Sequence, residues 1–295
     1  MFQLLPIFLA YIMFALGLQT QLSDFKQVLT KPKALIIGLA MQLLLVPALA
    51  YFLVIMFELP DYLGFGIMLL SICAGGITSN MMSYYAGGKI ALSIALTAIT
   101  SMIAILTVPL WVRFFYLLFF QDLPVDFSIV SLSLKVLLIT TIPVLLGIAV
   151  RRFFPIFVNK WKNSLQQMAN ILFGLMVLGA IVSNWGLILQ QISEIGILVL
   201  LLAVLLLGSS LIISSLMGLD EADSRTLAIE VSLQNGAMGI ALASLLSQSD
   251  KLSAFALPSA IYGVLMNFVV LPFVFYHAYN RHQLKAQKHY HNSRS

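Results

Sequence analysis

Long apolar runs separated by short polar or charged breaks recur along the whole chain. Each is close to the ~20 residues that a helix needs to cross a hydrocarbon layer of ~30 Å. Nine such stretches are predicted, over about 2–18, 34–57, 62–86, 90–112, 127–150, 168–187, 195–217, 226–246 and 253–278. Phe114 to Phe120 either extends the fourth or lies along the membrane surface. The third and eighth qualify only if a polar interior is tolerated. The expected fold is therefore all-α, a polytopic membrane protein with nine transmembrane helices. The first stretch is expected to stay in the mature protein, because no lysine or arginine precedes Lys26 and no small-residue cleavage site follows the apolar run.

Composition agrees with one integral unit. Of 295 residues, 61% are apolar and 9% charged, and the mean hydropathy of +1.01 lies far outside the range of soluble domains. The single cysteine, Cys73, excludes an intramolecular disulfide.

Charge gives an orientation. If loops alternate across the membrane, one side collects Lys26, Lys31, Lys33, Lys89, Arg151, Arg152, Lys160, Lys162, Arg225, Arg281, Lys285, Lys288 and Arg294. The other side holds Arg113 and Lys251. Thirteen against two places the first side in the cytoplasm, with the N-terminus outside and a basic tail over 279–295 inside. The high pI of about 9.3 then reflects topology and attraction to anionic lipid, and nucleic acid is not an expected partner.

Against this background the polar residues inside the spans stand out. Asp24, Glu58, Asp61, Asp122, Asp126, Glu194, Asp220, Glu221, Asp223 and Asp250 fall in loops or at helix ends, which leaves Glu230 as the buried acid. An ionised carboxylate near the bilayer centre costs roughly 2.5–3.5 kcal/mol even on mild scales, so it needs a partner, water or a proton. Lys135 is the only buried cation candidate, and its place near the outer end of the fifth span favours snorkelling to the interface. A second anomaly is SICAGGITSN at 71–80, where two glycines and three hydrogen-bonding side chains should interrupt the helix. Close packing through small residues is the alternative.

The third span runs inward and the eighth, with Glu230 to Gly239, outward. Each is followed by a span rich in small residues that ends near a proline, Pro109 or Pro272. Paired interrupted helices of opposite direction are the sequence pointer to inverted-repeat transporters with a midplane site.

LSDF at 22–25, CAGGITSN at 73–80, ALSIALT at 91–97 and IEVSLQN at 229–235 together resemble the bile acid:sodium symporter family over nearly the whole chain. The resemblance implies inverted repeats, two crossing interrupted helices, and a division into panel helices (about 2–18, 127–150, 168–187) and core helices (about 34–112 and 195–278). It also implies that the chain starts at the second helix of a ten-helix plan. The family pattern has proline where this chain has Ala74.

By the same resemblance, one sodium site uses Ser79, Asn80, Ser93, Thr97 and Glu230, and a second uses Gln42, Glu230, Gln234 and the carbonyls of Val231 and Leu233. Independently, Ser93 and Thr97 are four apart and share a helix face, and a hard cation wants oxygen ligands with a negative charge among them. Taken singly, Gln42 fits an interhelical hydrogen bond, and Ser93 and Thr97 fit bonds to their own helix. Substrate contacts are expected from the backbone around Ile77 and Thr78, from Asn235, and from the last span near Met266 and Asn267.

The function so implied is sodium-coupled symport of an organic anion by alternating access, with two co-transported sodium ions, in a bacterial inner membrane. The cargo is bile-acid-like or a small carboxylate such as pantoate or a keto acid. A proton-coupled carrier using Glu230 remains open. An intramembrane enzyme is disfavoured, because His277, His282, His289 and His291 all lie at or beyond the end of the last span.

Overall fold

The computed structural model describes residues 4–30, 32–73, 75–120, 128–246 and 254–292. Lys31, Ala74, Asp122, Asp126, Asp250, Lys251 and Arg294 lie outside the described residues, as do the side chains of Ile77, Glu194, His282, Lys285, Lys288, His289 and His291. Every regular element among the described residues is helical. In chain order they are α1 Leu5–Gln19, α2 Leu22–Leu29, α3 Pro32–Met56, α4 Asp61–Ser71, α5 Ile77–Tyr85 and α6 Ile90–Phe119. There follow α7 Ile129–Phe153, α8 Pro155–Ser183, α9 Trp185–Leu216, α10 Glu221–Ser232, α11 Gly236–Leu246 and α12 Leu257–Asn292.

Among the described residues, seven helical stretches are long and apolar enough to cross a membrane, with α10 and α11 taken as one stretch, and α1 and α4 are shorter apolar helices. Several boundaries differ from the sequence reading. Phe114 to Phe119 extend α6. The segment before residue 168 is helical from Pro155, because proline suits the first helical turn and Lys160 and Lys162 present their charge outward. Residues 185–194 continue α9, and only Asn184 separates it from α8; its side chain donates to the Ala180 carbonyl. The basic tail is helical as far as Asn292. The Lys135 side chain is exposed on the surface of α7.

Two helices carry a widened π turn, Met41–Leu45 in α3 and Leu137–Thr141 in α7. A proline follows each turn closely, Pro47 and Pro143. Proline lacks an N–H and crowds the carbonyl four residues earlier, and widening the preceding turn relieves both problems. In α3 that turn includes Gln42, which it presents to the interior.

Two groups of helices pack within themselves and also on each other, α7 on α6 and α8 on α12. α1 lies against α7 and α8, and Gly17 and Gly147 bring α1 and α7 together so closely that a Cβ on either would meet backbone of the other helix. The second group is built on α4 to α6 and α9 to α12. Here α5 packs on α6 and α10, while α4 packs on α11 and α12. Each half of one interrupted helix therefore rests on a half of the other, and α1 and α8 both reach α11.

Candidate functional site

Both polar stretches are broken helices. α4 ends at Ser71 and α5 restarts at Ile77, with Gly76 extended before it. α10 ends at Ser232, Leu233 is extended, and α11 begins at Gly236. The breaks meet: the Asn235 N–H donates to the Cys73 carbonyl at 2.8 Å. Asn235 also closes its own break, its Oδ1 accepting from Met238 N–H at 3.0 Å in a helix cap, while the buried Tyr262 hydroxyl donates to the Ser232 carbonyl at 2.8 Å. Backbone groups that the breaks set free thus find partners inside the protein, as unwound backbone at membrane depth must.

Glu230 sits in the last turn of α10, 3% exposed, and no lysine or arginine among the described residues pairs with it. Its carboxylate meets α6 instead. Ser93 Oγ lies 2.6 Å from Oε2, and Thr97 Oγ1 bonds Oε1. Ser93 Oγ is also 2.7 Å from Asn80 Oδ1, on α5. Thr97 Oγ1 lies 3.1 Å from the Ser93 carbonyl as well, so its one proton is contested between its own helix and Glu230. Ser79, buried beside Asn80, donates to the Gly76 carbonyl at 2.6 Å and so braces the start of α5.

Counting protons shows what this cluster lacks. Six side-chain oxygens converge, from Ser79, Asn80, Ser93, Thr97 and both carboxylate atoms, yet the three hydroxyls supply one proton each, and that of Ser79 is also drawn to the Gly76 carbonyl. Ser93 cannot donate to Asn80 and Glu230 at once. Asn80 meanwhile turns its carbonyl inward and leaves the buried Nδ2 without a partner. Turning that amide over would pair Nδ2 with Ser93 but withdraw an oxygen from the cluster. A buried, oxygen-rich, net-negative cluster short of protons suits a hard cation, or one added proton.

The second set also comes together. Gln42 Nε2 donates to Gln234 Oε1 at 2.9 Å, and Gln234 Nε2 donates to the Val231 carbonyl at 2.6 Å. A cavity of about 10 Å³ lies between Gln42, Val231 and Glu230 and is completed by Gly38, Gly75, Leu96 and Thr100. That is about the space one water-sized sphere occupies. In this arrangement the Gln42 amide donates to Gln234 and the Gln234 amide to the Val231 carbonyl, so a bound ion would have to take the Gln234 and Val231 oxygens in exchange. Leu233 marks the break itself and is buried.

Among the expected substrate residues, Ile77 and Thr78 open α5, where the first backbone amides have no partner within the helix. Asn235 lies at the same junction. Asn267 is not drawn into that network: its amide donates to the carbonyls of Gly263 and Val264 in α12. It shares a helix face with Gly263, which approaches Phe173 of α8.

Sequence reasoning missed Gly75 as a contact residue. A Cβ there would strike Glu230 Oε1 and lie 3.0 Å from Thr97 Oγ1, so only glycine lets the first break approach the carboxylate. The Gly-Gly pair gave a signal for a break, but not for which glycine is pressed against what. A clasp at the ends of α6 and α10 was equally hidden. Lys89 Nζ lies 2.6 Å from Asp220 and 2.7 Å from Asp223, and its backbone N–H donates to Thr226 Oγ1 at 2.7 Å. Partial burial alone would lower the Lys89 pKa, but hydrogen bonds to the two carboxylates outweigh it and hold the ammonium above its ordinary value. The bond from Lys89, followed by the Asp223 N–H, holds Asp220 below the usual carboxylate range.

The pattern of the Sodium Bile acid symporter family matches residues 6–191. A sodium-dependent transporter of Bacillus subtilis, itself described as uncharacterized, is 33% identical over 267 residues, covering 89% of this chain and 79% of the relative. A probable chloroplast sodium/metabolite cotransporter of Arabidopsis thaliana is 29% identical, covering 79% of this chain. A sodium-dependent organic anion transporter of Bos taurus is 25% identical, covering 88% of this chain. The chain spans 57% of the Arabidopsis relative and 60% of the bovine one.

Proposed function

Because this chain belongs to the sodium bile acid symporter family, a family of transporters and not of enzymes, we propose that it is a sodium-driven symporter of an organic anion. The observation that carries the reading is the proton-deficient oxygen cluster around Glu230, placed where two broken helices meet. Sodium takes the position between Glu230, Ser93, Thr97, Asn80 and Ser79, supplying the positive charge that the cluster lacks. A second ion takes the small cavity beside Gln42, with Gln234 and the Val231 and Leu233 carbonyls turned onto it. Glu230 then borders both ions. Half-helix carbonyl ends favour the cations, and the amide end of α5 at Ile77 and Thr78, together with Asn235, favours the anionic group of the cargo.

Nine membrane crossings, made of inverted repeats, place the N-terminus outside and the C-terminus in the cytoplasm of a bacterial inner membrane. α1, α7 and α8 form the panel against which the core moves in alternating access. The cargo class is a bile-acid-like or smaller organic carboxylate. With two sodium ions and a monovalent anion one net charge enters per cycle, and membrane potential contributes about 2.3 kcal/mol per 100 mV.

The test is uptake into proteoliposomes with sodium replaced by choline at fixed pH, using a panel of organic carboxylates. Sodium-dependent accumulation supports symport. Uptake that ignores sodium but follows an imposed pH gradient instead assigns Glu230 to proton coupling, the reading that an added proton on the cluster would favour.

A further inference from the structure

At the elbow between α7 and α8 the chain reads RRFFPIFVNKWK, residues 151–162. The elbow has a polar and an apolar side. On the polar side a cavity of about 570 Å³ is lined by Thr20, Gln21, Ser23, Arg151, Arg152 and Asn159. Arg151 is fixed there by a bond from Nη1 to the Leu18 carbonyl at 2.9 Å, while Arg152 is exposed with its guanidinium 6.0 Å from the Phe153 ring. α8 starts at the same place, and Pro155 and Asn159 share the helix face that lines the cavity. On the apolar side Phe153 is 71% exposed, Phe154 62% and Ile156 85%. Large apolar side chains at such exposure beside two arginines suit the boundary between headgroups and acyl chains and suit neither water nor the deep bilayer.

We propose that this elbow binds an anionic phospholipid of the cytoplasmic leaflet, its phosphate seated among Arg151, Arg152, Ser23 and Asn159 and its acyl chains lying against Phe153, Phe154 and Ile156. Two guanidiniums with no carboxylate among the lining residues supply the charge complement, and hydroxyl and amide groups complete a phosphate's hydrogen bonds. A soluble phosphate shares that headgroup chemistry but gains nothing from the apolar rim, which is why the lipid is the favoured occupant. The inference depends on the elbow facing the cytoplasm and is independent of what the protein transports.

Native mass spectrometry of the full chain in detergent, titrated with phosphatidylglycerol or phosphatidylcholine, tests it. Phosphatidylglycerol should be retained at several-fold lower concentration, on the order of fivefold for each arginine engaged. Arg151→Gln with Arg152→Gln should bring the two lipids to parity, whereas Lys160→Gln with Lys162→Gln, an equal loss of charge outside the cavity, should keep the preference. Arg152→Gln alone leaves the Arg151–Leu18 bond in place and should lower the preference even if the double variant fails to fold. Equal retention of both lipids by the unsubstituted chain would overturn the proposal. So would equal losses in the arginine and lysine pairs, or full displacement of the lipid by inorganic phosphate at matched charge.

Discussion

The N–H of Asn235 reaches the carbonyl of Cys73 at 2.8 Å, joining two helix breaks that are 162 residues apart in sequence. Through that bond the end of one half-helix fixes the start of another. The carboxylate of Glu230, one turn before the second break, is thereby held against the glycine of the first. The surroundings of that carboxylate and the geometry of both breaks are consequently one problem.

Glu230→Gln keeps the shape of the side chain and removes its charge. Thermal melting in sodium against potassium should show stabilisation of the unsubstituted protein, since an ion that binds only the folded state adds about 2.7 kcal/mol at a hundred times its Kd. The variant should lose this difference while still melting cooperatively. Thr97→Val, which removes one oxygen, should raise the sodium concentration required and leave some of the effect. Equal sodium stabilisation in all three proteins would remove Glu230 from the ion site.

Gly75→Ala places a methyl group against Glu230 and Thr97 and should destabilise by about 1–3 kcal/mol. Gly76→Ala is its control, because the nearest atom to a Cβ there is Thr78 Oγ1 at 4.0 Å. Melting temperatures and sodium titrations of the two variants should diverge. Similar behaviour would mean that the first break does not press on the carboxylate.

Asn235 caps α11 and is a proposed substrate contact, and two substitutions separate the roles. Asn235→Ala should cost about 1 kcal/mol through the lost cap, and Asn235→Ser, which retains a capping oxygen, much less. If Asn235→Ser melts normally yet fails in uptake, the side chain contacts cargo. Normal uptake by the serine variant confines Asn235 to capping.

The Lys89–Asp220 pair gives a pH dependence whose direction follows from its two shifts. Asp220 is lowered, so its contribution is present above the unfolded carboxylate pKa and is lost as pH falls through the lower folded value. Lys89 is raised, so its contribution is present below the unfolded lysine pKa and is lost as pH rises through the higher folded value. Both are partly exposed, which limits each pair to about 1 kcal/mol or less. Melting of Lys89→Met across pH should therefore differ most from the unsubstituted chain near neutrality and converge with it in strong acid. A constant difference at all pH values would indicate lost packing, not lost charge.

Local chemistry made much of this legible in advance. Run length and hydropathy mark the helices of a membrane protein, since a chain in lipid must satisfy its backbone within each helix. Gly75, Gly76 and the polar residues after them mark the first break, and Glu230 stands out because a lone acid in an apolar run is costly. Boundaries at residues 155 and 185 were less legible. Charged and apolar residues can share a helix when they face different ways, and a hydropathy window averages over those faces.

The sequence by itself determined that the chain is helical and lipid-adapted, that two of its helices are interrupted, and that one carboxylate lies within them, because these follow from the composition of short contiguous segments. Tertiary structure alone decided that Ser93, Thr97 and Asn80 converge on Glu230, that Gly75 must have no side chain, and that Asn235 joins the two breaks. Those are distances between residues remote in sequence, fixed by which helix faces pack together, and local propensity carries no information about them.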